Sequence, residues 1–346
     1  LRLYERADEL GVDQWDLSSR IARALVLPHN DPESALLTVR KDLARERLQQ
    51  HNCNVPEFSV CAFTEASRQA ACLSYPVVVK PLMLSASRGV MRANDDQEFI
   101  AAAARLKAIV DKEPGSDYEQ AHFLVEEFLA GDEIALDGFI RDGKLIPLAL
   151  FDKPEPMNGP FFEESYYITP SRYSGSIQGA ILQEVERCCK AYGLHHGPIH
   201  AEARITERGV VLLEMASRTI GGQCARVIEY VLGHNLEQVI LQLMCRQPLE
   251  LERTERHAGV LMIPIQQRGI LKRVEGMLEA RQVEHITDIE IHIQPGYELI
   301  PLPEGSSYLG FIFASARSFE QTLQALQQAH QQLRFITSQS WAIEIA

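Results

Sequence analysis

Two adjoining segments decide the fold of this chain, GPIHAEARIT at residues 197–206 and VVLLEMASR at residues 210–218. In the first, apolar and polar residues alternate from Ile199 onward, which is the period of a half-buried strand. The second predicts another strand, in which Leu212 and Glu214 share a face. We therefore expect two neighbouring strands, each carrying one glutamate.

The residues between the two segments predict a hairpin. Three-residue hairpin loops favour glycine where φ is positive, and the loop 207–209 ends in glycine. In that register Thr206 pairs with Val210, and Glu202 then lies directly opposite Glu214. Because opposed like charges repel across a sheet, a cation between them would relieve the repulsion. Mg²⁺ takes one or two protein carboxylates plus substrate phosphates. The alternative is a hairpin whose glutamates face water.

Composition limits the classes of function. The chain has 346 residues, enough for two or three compact domains, with 46% hydrophobic and 23% charged residues. Its net charge of −13 argues against a nucleic-acid partner, which would require a basic face. No run approaches the roughly 18 apolar residues of a membrane span, and there is no signal peptide, so we expect a cytoplasmic protein without a membrane partner.

Cysteine usage and the first residues complete this outline. The seven cysteines include no CxxC pair, so we expect neither a disulfide framework nor a zinc site. The chain opens without methionine in a helix-like stretch, from which we expect that an N-terminal portion precedes it.

Periodicity and turn signals predict alternating helices and strands, that is, an α+β protein. The predicted helices cover residues 31–50, 65–73, 95–110, 175–192, 223–243 and 318–333. The predicted strands cover residues 58–61, 75–80, 122–128, 133–141, 144–151, 199–206, 210–215, 260–263, 270–275, 289–294 and 310–316.

Basic residues and hydroxyls outside the hairpin suggest a phosphate site. Lys80 ends an apolar strand, and a buried ammonium without a partner would be costly. The next turn, LSASRGV at residues 84–90, supplies two hydroxyls, a guanidinium and a flexible glycine. Arg218, beside a metal-held phosphate, would stabilise negative charge. The alternatives are a surface lysine before an ordinary turn, and a salt bridge from Arg218 to one glutamate.

Two further features belong to the same hypothesis. The segment 125–133 runs from an apolar strand into an acidic turn, where a carboxylate could accept from ribose hydroxyls; the alternative is a solvated acidic loop. His200 shares the face of Glu202 and either positions substrate or has a structural role. His195 and His196 do not predict zinc, because a Gly-Pro pair breaks any helix that would align them.

Taken in order, these elements resemble the ATP-grasp superfamily. The resemblance covers residues 30–245 and continues from the lysine of the first helix, Lys41, to Arg218. It implies two α+β subdomains that grip ATP, and this division of the chain: 1–30 a remnant of an N-terminal Rossmann-like domain that is otherwise missing, 31–247 the ATP-grasp domain with a lid at 60–128, and 248–346 a small C-terminal α+β module.

The resemblance also implies a role for each matching residue. Lys41 and Lys80 would hold the α- and β-phosphates, and Glu202 and Glu214 would bind two Mg²⁺ ions, with Mn²⁺ as the alternative. Arg218 would steady an acyl phosphate, and Lys153 would reach the γ-phosphate. The lid would be formed by Ser85, Ser87, Arg88 and Gly89. Adenine and ribose would be bound by Glu126, Glu127, Phe128, Leu129 and Glu133.

Within the superfamily the chain looks most like L-amino-acid ligases and the carnosine-synthase type. This closer resemblance rests on four short sequence segments, at residues 197–202, 221–222, 302–305 and 310–312. The departures are Ala216, where the superfamily often has a metal-binding Asn, and Leu84, where glycine is frequent. The Thr-Ile-Gly-Gly after Arg218 argues against biotin carboxylase, which has Gln-Val-Glu-His there.

The expected function is an ATP-dependent carboxylate–amine ligase that forms an amide through an acyl phosphate and releases ADP and phosphate. The substrates would be a small carboxylate and a small amine, and the enzyme a homodimer. The alternatives are a non-catalytic nucleotide-binding regulatory module and an ATP-grasp ligase of the purine-biosynthesis type. Specificity would lie in residues 153–172 and 221–226.

Overall fold

The computed structural model of the protein describes residues 14–248 and 255–338, with residues 14–18 described by their backbone alone. Along these residues, α-helices and strands alternate. The helices are α1 Gln14–Ala24, α2 Pro32–Leu37, α3 Lys41–Gln50, α4 Ala66–Ala70, α5 Asp96–Val110, α6 Asp117–Ala121, α7 Gly175–Tyr192, α8 Cys224–Leu232, α9 Leu236–Met244, α10 Met277–Arg281 and α11 Phe319–Gln332, with a 3₁₀ turn at Phe63–Glu65.

The strands form three sheets. Their bounds are β1 Phe58–Ala62, β2 Val77–Pro81, β3 Met91–Ala93, β4 His122–Glu127, β5 Asp132–Arg141, β6 Lys144–Lys153, β7 Tyr166–Thr169, β8 His196–Thr206, β9 Gly209–Ala216, β10 His257–Ile263, β11 Gly269–Glu275, β12 Ile286–Ile291, β13 Glu298–Leu299, β14 Gly310–Ala316 and β15 Arg334–Ser338.

The small sheet, in the order β1-β4-β2-β3, packs against α5. The buried side chains of Val79, Phe123 and Phe99 meet in its core. Alternation explains the geometry: every second residue of a strand points to the same face, so one face of this sheet is covered by the helix. The other face is turned toward the pocket described below, where Val78 and Lys80 appear.

The large sheet has eight strands in the order β12-β14-β10-β7-β6-β5-β8-β9. Its hairpin strands β8 and β9 pack with α7 in one core, and α8 and α9 pack in another. Strand β10 pairs with both β7 and β14, so the C-terminal strands continue the central sheet. A third sheet, β13-β11-β15, lies in the C-terminal part.

The predicted helix at 31–50 is two helices. Asp31 caps α2 as its position suggests, accepting the Glu33 N–H at 3.0 Å. However, Thr38 ends this helix, and the Lys41 N–H that begins α3 donates to Leu82 O at 3.0 Å, across to the small sheet. A tertiary hydrogen bond therefore replaces the intrahelical bond that continuous periodicity implied.

The predicted helix at 223–243 is also two helices, α8 and α9. Gly233 ends the first in the left-handed region, with φ of 68°. Asn235 then caps the second by accepting the Gln238 N–H at 3.2 Å. This Gly-x-Asn stop-and-start signal is visible in the sequence and outweighs the apolar periodicity that runs across it.

Parts of two predictions lie outside the described residues. They are residues 1–13 of the expected N-terminal remnant, and residues 249–254 and 339–346 of the expected C-terminal module. Across the described ranges, we find no helix with the length and hydropathy needed to span a membrane.

Candidate active site

Glu202 and Glu214 lie opposite each other as predicted, but the hairpin that pairs them has a different register near its loop. Thr206 pairs with Gly209, not with Val210, so the hairpin loop has two residues rather than three. A bulge between Glu202 and the next pair then restores the register, and Glu202 lies opposite Glu214. The prediction of the pair is confirmed, while the predicted register of the loop is wrong.

The bulge also changes the face on which the second glutamate lies. Leu212 and Met215 pack into the apolar core beneath the sheet. Glu214 lines the pocket instead, with its side chain 39% exposed. The prediction that Leu212 and Glu214 share a face is therefore wrong, because the extra residue Leu213 shifts the alternation by one position.

Most of the predicted site residues line one pocket between the small and the large sheet. Its lining contains Lys41, Lys80, Ser85, Ser87, Glu126, Glu127, Phe128, Leu129, Glu133, His200, Glu202, Glu214 and Arg218. Among the described residues, three predicted members lie outside this lining, namely Arg88, Gly89 and Lys153. The Arg88 guanidinium turns away and pairs with Glu113 at 2.7 Å.

Two lysines from different elements converge on the pocket. Lys41, the first residue of α3, donates to Leu84 O at 2.6 Å and lies 3.6 Å from the Glu214 carboxylate. Lys80, in β2, pairs with Glu126 at 2.6 Å. Arg218 follows β9 and donates to Thr219 O at 2.9 Å. The pocket thus presents three cationic side chains near a pair of carboxylates.

Glu126 is the buried anchor of this arrangement, with 2% of its side chain exposed. It accepts from Arg45 at 2.6 Å on one side and from Lys80 on the other. Burial alone would raise the pKa of Glu126, but the two cations outweigh it and lower the pKa to about 2. Since its carboxylate is engaged by both cations, Glu126 fixes the position of Lys80.

Lys153 is buried at the centre of a cluster of three carboxylates. Its Nζ is 2.8 Å from Glu133, 3.0 Å from Glu164 and 2.8 Å from Glu202. Burial opposes the charged form, yet the three carboxylates raise the pKa of Lys153 well above its usual value. Burial and the neighbouring Glu202 raise the pKa of Glu164 to about 7. The ammonium of Lys153 therefore offsets the repulsion within this cluster.

His200 connects Glu202 to a buried aspartate. Its Nδ1 is 3.2 Å from Asp137, and its Nε2 is 3.4 Å from Glu202. Burial would lower the pKa of His200, but the two carboxylates raise it to about 10, so the ring is an imidazolium at neutral pH. Asp137 also accepts the Ile220 N–H at 3.0 Å. It thereby ties His200 to the loop that follows Arg218.

Four functional candidates were missed by the sequence analysis. Arg204 donates to Glu133 at 3.2 Å, and its place on the polar face of β8 could have revealed it. Tyr167 donates to Glu164 at 2.8 Å and to Glu202 at 3.2 Å. Asp137 and Glu164 have no periodic signal that separates them from surface acids, and only the fold brings them into the site.

The donor set fits a divalent cation. Glu202 and Glu214 bring carboxylate oxygens from opposed strands into the pocket, and such hard donors suit Mg²⁺ or Mn²⁺. Oxygens of Glu133, Glu164 and Glu202 lie within 4.8 Å of one another, although the Lys153 ammonium already pairs with all three. The opposed pair is therefore the better candidate for holding the metal.

Two α+β units around a pocket with paired carboxylates and converging lysines give this chain the fold of the ATP-grasp superfamily. Residues 73–227 match the model of the ATP-grasp domain. Residues 261–338 match the model of the L-amino acid ligase C-terminal domain 2. This superfamily uses ATP and divalent metals.

Relatives and a solved structure agree with this assignment. The chain is 28% identical over 234 residues to dapdiamide A synthase of Enterobacter agglomerans, covering 64% of this chain and 53% of that protein. It is 29% identical over 187 residues to alanine–anticapsin ligase of Bacillus subtilis strain 168, covering 49% of this chain and 39% of that protein. The chain thus spans about half the length of these curated relatives.

The crystal structure of an L-amino acid ligase from Bacillus licheniformis is also similar. It superposes with a TM-score of 0.82 at 29% sequence identity, and covers 93% of this chain and 79% of the other. The expected α+β ATP-grasp fold is therefore confirmed.

Proposed function

We propose that this chain is the catalytic part of an ATP-dependent carboxylate–amine ligase that joins amino acids through an acyl phosphate. The observation that carries the proposal is the meeting of Lys41, Lys80 and Arg218 with the opposed pair Glu202 and Glu214 in one pocket. The similarity to L-amino acid ligase over 93% of the chain supports the same reaction class. ADP and phosphate would be the other products.

The nucleotide would lie between the two sheets. Lys41 and Lys80 would contact the α- and β-phosphates, since both side chains line the pocket. The hydroxyls of Ser85 and Ser87 would face the outer phosphates. The strand-end segment Glu127–Leu129 would present backbone groups to the adenine edge, beside the apolar side chains of Met157 and Phe162. Little covalent chemistry is needed, because phosphoryl transfer depends mainly on positioning and charge.

Glu202 and Glu214 would hold Mg²⁺, with Mn²⁺ as the alternative. The bound metal supplies neutralisation of the phosphate charge. Ala216 stands where the superfamily often has a metal-binding Asn, and the neighbouring Ser217 is engaged by Thr38 at 3.0 Å. We therefore propose that the two glutamates provide the protein's metal ligands without a third residue.

The remaining polar residues would stabilise charge or orient other groups of the site. Arg218 would stabilise negative charge on the acyl phosphate, because a guanidinium offers several fixed donors. Glu133 pairs with both Lys153 and Arg204, so its contribution to ribose binding would come through the cluster rather than from a free carboxylate. Lys153 and His200 would orient Glu202 by direct contact with its Oε1.

The domain division expected from the sequence remains part of this proposal. Residues 60–128, which contain most of the small sheet, would move as the lid, and residues 31–247 would form the ATP-grasp domain. Residues 248–346 would form the C-terminal module, with strands that continue the central sheet. We also propose that the protein is a homodimer and lies in the cytoplasm. Light scattering of the purified protein tests whether it is a dimer.

The decisive experiment is Mg²⁺-dependent release of ADP from ATP with the full-length protein, using amino acids singly and in pairs. Release that requires two amino acids, with a new amide detected by mass spectrometry, is the expected result. Release that instead requires phosphoribosylamine and glycine would contradict amino-acid ligation. Binding of ATP with no turnover on any pair would favour a regulatory module.

A further inference from the structure

An ion pair outside the pocket joins the small-sheet unit to the C-terminal strands. Arg105, on α5, donates from Nε and Nη2 to the two carboxylate oxygens of Glu304, at 2.6 and 2.8 Å. Two parallel N–H···O bonds of this kind fix direction as well as distance. Glu304 belongs to the string LPEG at residues 302–305, between β13 and β14, and no residue of this string is among the described residues that line the pocket.

The same string contacts the loop that lines the pocket. Gly89 N–H donates to Pro303 O at 2.9 Å, and Arg88 Nε donates to Glu304 O at 2.8 Å. The loop segment 84–87 and Val90 face the pocket. One end of this loop is therefore hydrogen-bonded to the turn between β13 and β14, whereas residues 84–87 face the proposed phosphate site.

The loop has a backbone conformation that needs such support. Ala86 and Ser87 lie consecutively in the left-handed region, with φ of 54° and 55°. Residues other than glycine adopt this region seldom, and they keep it where the surrounding structure enforces it. Two hydrogen bonds hold the ends of the loop: Lys41 donates to Leu84 O, and the Gly89 N–H donates to Pro303 O.

The string itself is a tight turn. The Gly305 N–H donates to Pro301 O at 2.9 Å, and a Cβ at Gly305 would lie 1.8 Å from Ile300 O. Only glycine fits there, so the turn presents the carbonyls of Pro303 and Glu304 to the loop in a fixed orientation. The Arg105 pair then holds the turn against α5.

We propose that Glu304 and Arg105 are positioning residues that act through the Pro303–Glu304 carbonyls to hold the strained loop 85–88 over the nucleotide site. The proposal rests on the proposed function, since ATP is the ligand that the loop would cover. Both side chains are partly exposed, at 44% for Arg105 and 38% for Glu304, so high salt should weaken the effect.

The test uses the full-length protein and cleavage by trypsin after Arg88, which reports on loop mobility without nucleotide. The variants are Glu304→Gln, Arg105→Gln and the charge-exchanged double variant Arg105→Glu with Glu304→Arg. The matched control is Asp111→Asn, which removes the Lys107–Asp111 pair beginning on the same helix. The peptide ending at Arg88 is quantified by mass spectrometry, and thermal melting checks that each variant is folded.

We expect cleavage to be about two- to five-fold faster in both single variants, the range that a surface ion pair supports. Cleavage of the double variant should return toward the wild-type rate. The control Asp111→Asn should be cleaved at the wild-type rate. The KM for ATP should rise by a similar factor in the single variants, while the KM for the amino acids stays unchanged.

Equal cleavage rates in all proteins would overturn the proposed positioning role, whatever the kinetic assay shows. The two proposals can be separated, because the cleavage assay needs no substrate. If neither the wild-type protein nor any variant binds ATP but the cleavage pattern is as expected, the proposed function is wrong and the positioning of the loop by Glu304 stands.

Discussion

Glu202 and Glu214 lie directly opposite each other on β8 and β9, and their pairing depends on a bulge at Leu213. The bulged carbonyl of Leu213 accepts a hydrogen bond at 2.5 Å from Arg45, whose other contact is Glu126. A bulge disrupts the ladder of backbone hydrogen bonds, so the bond from Arg45 to this carbonyl stabilises the bulge. A residue of α3 thereby helps to set the register of the proposed metal site.

Replacing either member of this pair should abolish ligase activity and spare the fold. Glu202→Gln or Glu214→Gln keeps the side-chain shape but removes the anionic metal ligand, so we expect activity to fall by at least about 100-fold. The measurement is Mg²⁺-dependent ADP release, with circular dichroism for the fold. Glu207→Gln in the exposed hairpin loop is the control and should be active. Full activity in both site variants would rule out the metal assignment.

Arg218 should affect chemistry more than nucleotide binding. Arg218→Ala removes a charge that the proposed mechanism uses as the acyl phosphate forms, so kcat should fall by about 10²–10³-fold. The dissociation constant for ATP, measured by calorimetry, should change little. Arg218→Lys should recover part of the rate, because it restores charge but not the guanidinium geometry. Weakened ATP binding with an unchanged kcat would argue against this role.

Glu126 should stabilise the protein in a pH-dependent way. Its folded-state pKa of about 2 lies below the usual 4.5, so the unfolded chain binds the proton more tightly. The contribution is therefore complete above pH 4.5 and is lost as the pH falls toward 2, and it amounts to about 3 kcal/mol. Urea unfolding at several pH values measures it.

In Glu126→Gln this acid dependence should be missing, and stability at pH 7 should fall by about 3–5 kcal/mol, because Arg45 loses its buried partner. Glu127→Gln is the matched control. Glu127 pairs with the half-exposed Arg208, so its loss should cost less than about 1 kcal/mol. An unchanged stability of Glu126→Gln would contradict the anchoring role of Glu126.

Lys153 should be required for stability as well as for activity. Lys153→Met leaves Glu133, Glu164 and Glu202 without their shared cation, which should destabilise the protein by about 3–5 kcal/mol. Adding Glu164→Gln removes part of the repulsion, so the double variant should be more stable than Lys153→Met alone by about 1–3 kcal/mol. Denaturant unfolding of the wild type, Lys153→Met, Glu164→Gln and the double variant gives this coupling. If Lys153→Met were as stable as the wild type, the carboxylate cluster would need no cation.

Much of the site was predictable because its residues lie within or at the ends of elements with strong periodicity. Lys80 ends an apolar strand, and Glu202 lies on the polar face of an alternating one. Alternation specifies the face of a side chain locally, so no tertiary information is needed there. The carboxylate cluster was less predictable. Glu164 and Lys153 are eleven residues apart and meet only when β7 and the preceding loop fold back over β6.

The sequence by itself determined the order of the elements, the two glutamates on neighbouring strands and the lysines that precede them, because propensity and alternation act over a few residues. Only the tertiary structure decided the bulge at Leu213, the direction of Arg88 and the pairing of Arg105 with Glu304. Each of these depends on contacts between segments distant in sequence. Their free energies arise from burial and hydrogen bonding that no local pattern encodes.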